Sequence, residues 1–171
     1  MIRSILILLV VSICLLSEGV AQTIDNTTKA TLSVRATATV TDNLQMLTIR
    51  NIDLIAPAAE QNTIMISPIQ SPYAGLLKII GNPNARIRIT FLQRETLRES
   101  TEGIGEVKTE YNLSAAFEDL QIQSTLLDVG EANVSLSGKG LLFIWLGANL
   151  DLSLASPGIY QSEFTIELEY I

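Results

Sequence analysis

The chain has no histidine, one cysteine and few aromatic residues: among 171 residues, aromatics make up 5% and charged residues only 17%. Without histidine, neither His-based nucleophile triads and dyads nor histidine-liganded zinc sites can be assembled. A single cysteine, Cys14, permits no internal disulfide. Eleven basic residues stand against 18 acidic ones, a formal net charge of -7, which is the wrong sign for gripping a phosphate backbone. What the chain does have is apolar bulk, with 47% of it hydrophobic. That composition argues against disorder and for one domain large enough to bury its own core.

Residues 1–21 read as a secretory signal peptide. Arg3 supplies a short positive region, Ile5 to Leu16 an apolar stretch broken only by Ser12, and Ser17-Glu18-Gly19-Val20-Ala21 small residues before a cut between Ala21 and Gln22. The stretch is shorter than the roughly 20 apolar residues of a membrane-spanning helix. An uncleaved anchor or an apolar strand are the alternatives. Lipidation at Cys14 is disfavoured by Ile13 before it and by its place inside the apolar run. Cleavage removes one basic residue, Arg3, and one acidic residue, Glu18, together with the sole cysteine. The exported domain then relies on core packing and hydrogen-bond ladders, at the cell surface, outside the cell or in a periplasm.

Residues 22–29 form a polar lead, and residues 30–171 a single domain. A period of two begins at once: Ala30, Leu32, Val34, Ala36, Ala38 and Val40 alternate with Thr31, Ser33, Arg35, Thr37 and Thr39. Leu44 to Leu54 is a second strand-like stretch, with Leu47, Ile49, Ile52 and Leu54 expected inward. Thr63–Ser67 is a short strand ended by Pro68. Gly75–Ile80 and Arg86–Leu92 flank Gly81-Asn82-Pro83-Asn84 and predict a hairpin, with Ile87, Ile89 and Phe91 on one face. Residues 94–108, dense in Arg and Glu around Gly103 and Gly105, read as a long solvated loop. Alternation resumes at Tyr111–Phe117 and runs from Leu141 through Leu154. After a Ser156-Pro157-Gly158 turn, Tyr160, Ser162, Phe164, Ile166, Leu168 and Tyr170 share one face of the last strand. The expected fold is all-β: an immunoglobulin-like or pilin-like β-sandwich of about seven to nine antiparallel strands, with a closed β-barrel as the alternative.

Leu146-Gly147-Ala148-Asn149-Leu150, Ser156-Pro157-Gly158-Ile159-Tyr160 and Phe164–Tyr170 together resemble the C-terminal signature of a bacterial secreted family, domain of unknown function 4402. Ser67-Pro68, Gly75–Gly81 and Ala85–Ile89 resemble its middle block, and the Ala/Thr strand at 30–40 its start. The ends of the chain are more distantly similar to major subunits of common pili. The resemblance implies an exported sandwich and confers no activity.

Few residues invite a chemical role. Glu95, Glu99, Glu102, Glu106 and Glu110 recur every three to four residues, but a glycosidase needs two carboxylates held at a fixed separation. Glycines 103 and 105 would break any helix aligning these. Glu118-Asp119 and the Asp128–Glu131 cluster lack calcium-loop spacing and suit turns. Trp145 lies in a run apolar on both faces and belongs in a core, leaving Tyr73 beside Pro72 as the candidate exposed aromatic. Asn26, Asn112 and Asn133 each begin an Asn-x-Ser/Thr triplet, read as chance in a Ser/Thr-rich exterior. No catalytic residue, metal or cofactor is expected, nor a nucleic-acid partner.

Edge chemistry carries the most functional content, because an exported sandwich subunit can complete a neighbour's sheet by lending a strand. Ala30, Leu32, Val34, Ala36, Ala38 and Val40 are the candidate donated strand, and equally suit the domain's own first strand. The expectation is a non-catalytic structural subunit of a bacterial cell-surface or fimbria-like assembly, pairing with copies of itself or other envelope subunits. The alternative is a secreted or envelope module that binds a glycan or protein through its loops.

Overall fold

A computed structural model describes residues 30–34, 37–39 and 43–171. The signal peptide with its Ala21–Gln22 cut, the polar lead, Ala36 and Val40 lie outside the described residues. Those described form an all-β domain whose one helical element is a single 3-10 turn, Gln121–Gln123. The strands are β1 (Ala30–Val34), β2 (Thr37–Thr39), β3 (Gln45–Arg50), β4 (Thr63–Ile66), β5 (Gly75–Ile80), β6 (Arg86–Phe91) and β7 (Arg94–Arg98). They continue as β8 (Glu106–Ala116), β9 (Thr125–Leu126), β10 (Glu131–Ser135), β11 (Leu141–Leu154), β12 (Gly158–Ser162) and β13 (Thr165–Tyr170).

The larger sheet runs β3-β5-β11-β8-β7, with β4 also on β11 and β9 also on β8. The smaller runs β10-β6-β13-β2, and β1 lies beside β12. One core joins them: Leu77, Ile79 and Ile144 from the larger sheet meet Ile87, Ile89 and Ile166 from the smaller. The Phe164 ring sits 4.6 Å from Tyr111 and 6.1 Å from Phe91, an aromatic cluster bridging the two layers.

The segments around Gly81–Asn84 do not make the expected hairpin. β5 pairs with β3 and β11, whereas β6 pairs with β10 and β13. The turn residues bend the chain from one sheet into the other without reversing it, and Ser137–Gly140 bends its partner in parallel. Ile80 faces Leu141 and Arg86 faces Ser135. Between them Gly81 N–H donates to the Gly140 carbonyl (2.9 Å), Asn84 N–H to Ser137 (3.0 Å) and Leu136 N–H to Ala85 (2.8 Å). One antiparallel register thus runs unbroken around the corner, from Gly75–Phe91 against Gly130–Leu146, the way strands change sheets in packed β structures. Asn84 (φ 58) and Gly140 (φ 72) take the left-handed conformation the corner requires.

Residues 94–108 are not a long loop. β7 and the start of β8 form a hairpin in which Arg94 faces Glu110 and Arg98 faces Glu106. Those charges pair across the outer face at 3.3 and 3.6 Å, while Leu97 and Val107 are buried on the inner face. Only Glu99–Gly105 is turn. Arg94, Arg98, Glu106 and Lys108, which suggest a solvated loop, are the outward half of an alternating pattern, while Glu95 and Glu99 fall on the side of Leu97. In β3 the expected facing is reversed: Leu47 and Ile49 are 45% and 55% exposed, while Leu44 is buried and Met46 packs on the core; past the strand, Leu54 is buried and Ile52 packs on the core as expected. Both sets of this stretch are apolar, so its alternation fits either face, and a one-residue slip exchanges them. The stretch also leaves the ladder at Arg50, short of Leu54.

Trp145 is buried. Its register places it between Leu76 and Ser114 on the outer face of the larger sheet. Ser114 Oγ donates to the Pro68 carbonyl (3.2 Å), and Gln121 Nε2 donates to the carbonyls of Pro68 (3.0 Å) and Ser71 (2.9 Å). The Pro68–Ser71 loop and the 3-10 turn are thereby tied over this face.

Candidate strand-pairing site

The first and last described strands lie side by side. β1 runs parallel to β12 from Ala30 opposite Gly158 to Val34 opposite Ser162, and β2 runs parallel to β13 from Thr37 opposite Thr165 to Thr39 opposite Glu167. The register is the same in both, so β1 and β2 keep one offset along β12 and β13. Of the candidate donor residues, Ala30, Leu32, Val34 and Ala38 therefore fall on ladders within this chain, and the Leu32 side chain packs partly buried on the core.

β12 also meets β7. Glu99 bridges to Tyr160, and Ser100 sends both its N–H and its hydroxyl to the Ile159 carbonyl, each at 2.8 Å. The Glu99 carboxylate accepts N–H bonds from Thr101 (2.9 Å), Glu102, Gly103 (3.2 Å) and Ile159 (3.3 Å). Those amides, Glu102 and Thr101 foremost, hold its pKa down at about 2. Along this seam the larger sheet curls onto the strand that continues into the smaller one.

Three of the other four regularly spaced glutamates are also engaged by neighbours, while Glu102 is exposed. Glu95 accepts the Ser162 hydroxyl, which in turn accepts from Tyr111 (2.8 Å). Glu106 pairs with Arg98, and Glu110 with Arg94 and Gln93. No group of three or more acidic or cysteine side chains with metal-ligand placement occurs among the described residues. Tyr73 is partly exposed, at 37%, and stands alone.

Among the described residues, one open edge of the sandwich is β10. It pairs with β6 on one side, and nothing among the described residues pairs with the other. Phe91 N–H donates to the Gly130 carbonyl (2.9 Å), and Leu136 N–H to Ala85. That phase turns the main chain of Ala132 and Val134 toward β6, and the N–H and C=O groups of Glu131, Asn133 and Ser135 outward. Beside this free edge the core opens into a groove of about 770 Å³, lined by Ala115, Phe117, Leu126, Leu127, Val134 and Leu142 among others. Phe117 and Leu126 are 55% and 57% exposed on its wall, where large apolar residues are costly to leave in water.

Comparison with protein-family models and with curated proteins finds no match. The site therefore rests on this geometry alone. Sequence reasoning passed over β10, although Glu131-Ala132-Asn133-Val134-Ser135 alternates polar and apolar like any half-buried strand. The acidic cluster ending at Glu131 drew attention to turns instead. Alternation reveals a strand but not whether it stands at an edge.

Proposed function

We propose that the protein is a non-catalytic structural subunit of a bacterial cell-surface or fimbria-like assembly, in which sheets of neighbouring chains are joined by strand pairing. The observation that carries this reading is the free β10 edge beside an apolar groove. An outward row of main-chain donors and acceptors gives an incoming strand affinity, and apolar pockets for alternate side chains give it register. Natural sheets normally blunt such an edge with lysine, proline or a bulge, and β10 has none of these. The export signal expected at residues 1–21 agrees with a surface location.

The competing reading, a binding module acting through its loops, loses much of its candidate surface because residues 94–108 are mostly strand. The test is to purify the mature protein from its native surface and examine its size and its electron micrographs. Filaments or a ladder of subunit multiples are expected. A monomer that retains a glycan or peptide would overturn the proposal in favour of binding.

A further inference from the structure

We infer that β10 is a two-fold docking edge, at which a second copy of this chain adds its own β10 antiparallel and extends the smaller sheet across both molecules. The inference rests on the assembly reading above and names the partner of that site. The sequence of β10 is self-complementary in one register. Centring the two-fold axis on Asn133 overlaps all five residues and sets the outward-turned main chains of Glu131, Asn133 and Ser135 against those of Ser135, Asn133 and Glu131 of the other copy. Every outward N–H and C=O then finds a partner.

Charge selects the same register. An axis at Glu131 would put two carboxylates directly opposite one another, which is destabilising. The axis at Asn133 sets each Glu131 against a serine. Glu131 is also held by Arg88, whose Nε lies 3.2 Å from its carboxylate while its Nη1 bonds Glu169 at 2.7 Å. The one charge on this edge is thus partly balanced within its own sheet. On the inner face Ala132 meets Val134 of the other copy, closing apolar surface over the rim of the groove.

Other edges fit less well. β7 carries Arg94, Glu95 and Arg98, β2 and β9 span three and two residues, and the ladder of β3 is interrupted by a register shift between Thr48 and Arg50. Because each chain carries a net charge of -7, association should tighten as salt screens the repulsion between copies.

The test uses cysteine placement in the full chain carrying Cys14→Ser. Across an antiparallel hydrogen-bonded pair the Cα atoms lie about 5.5 Å apart, within disulfide range. Mild oxidation should therefore link Asn133→Cys chains into covalent dimers. Glu131→Cys alone should stay monomeric on a non-reducing gel, whereas Glu131→Cys with Ser135→Cys should cross-link. Asn133→Pro removes an outward N–H and leaves the bonds to β6 in place. It should weaken the dimer at least tenfold in sedimentation while its circular dichroism stays unchanged. Should the proline variant misfold, the cysteine pattern decides by itself. Multimers that form without the 133–133 bridge would overturn the two-fold edge and leave the assembly reading standing. A chain monomeric at all concentrations and salts, as when a foreign strand or an apolar ligand fills the groove, would overturn both.

Discussion

Glu99 shows how much one side chain can organise. Its carboxylate gathers amides from its own turn and from Ile159, so it fixes the 99–105 turn and fastens β7 to β12 together. The charged form is the bonded one, which sets the sign of its pH dependence. An unfolded glutamate takes up its proton near 4.5, the folded one near 2. Above about pH 5 the contribution is fully present; as pH falls through that interval the unfolded chain binds the extra proton and stability is lost. Thermal unfolding should show a midpoint that drops between pH 5 and pH 2. Glu99→Gln should lower the midpoint at pH 7 and flatten that acid limb, since an amide turns an N–H toward donors that need an acceptor. A Glu99→Gln profile parallel to the unmodified protein's would assign the limb to other carboxylates.

Two hydroxyls, two positions apart on β8, make opposite predictions. Tyr111 donates to Ser162, and burial pushes its own pKa up to about 12. Thr109 is buried, and its Oγ1 has no partner among the described residues. Removing a satisfied hydroxyl costs about 1 kcal/mol, whereas removing an unsatisfied buried one relieves a desolvation penalty of about 1–3 kcal/mol. In urea unfolding Tyr111→Phe should therefore lower the midpoint and Thr109→Val raise it. A destabilised Thr109→Val would mean that a bound water satisfies the hydroxyl.

At the scale of elements, the bent ribbon of β5–β6 against β10–β11 is the organising feature, and its turn chemistry was legible while its pairing was not. Gly81-Asn82-Pro83-Asn84 marks a change of direction in any reading. Whether such a turn reverses a strand or carries it into a second sheet depends on what pairs with each arm, and those partners lie some 50 residues away. The same non-locality hid the face of β3 and turned an alternating charged hairpin into an apparent loop at 94–108. Strands with one clean apolar set, such as β6 and β13, were read correctly down to the buried residue, because only one register buries them. Two glycines separate conformational demand from packing demand, Gly130 just before β10 and Gly140 at the corner. Gly130 and Gly140 both have positive φ, 78° and 72°. A Cβ on Gly130 meets nothing, whereas one on Gly140 would fall on the Gly81 carbonyl oxygen. Gly130→Ala should cost about 1 kcal/mol of backbone strain. Gly140→Ala should cost clearly more, because the ribbon must open to admit the methyl. Equal unfolding midpoints for the two would show that the corner yields freely.

At the scale of the molecule, the chain closes by laying its first strands along its last. β1 and β2 touch the rest through parallel ladders to β12 and β13, and parallel pairing is slightly weaker per residue than antiparallel. Among the described residues the buried aromatics and aliphatics lie between Leu44 and Leu168, and from β1 Leu32 packs partly buried against them. That division was visible in outline from sequence, where the alternation at 30–40 suited an own strand or a lent one equally. The described parts of the segment, β1 and β2, lie along β12 and β13, where they are held by these two parallel ladders and by Leu32 on the core. A chain beginning at Asn43 should therefore still fold, with β-type circular dichroism and a cooperative but lower urea midpoint, because the outer edges of β12 and β13 lose their ladder. A synthetic peptide of residues 30–40 added to it should restore part of the lost midpoint in a saturable way, and a peptide with Leu32 and Val34 changed to Asp should not. Rescue would establish that the segment binds in trans, the property a lent strand must have. A truncated chain that collapses and is not recovered by the peptide would make residues 30–40 an integral strand of their own domain, and subunit joining would then fall to β10 alone.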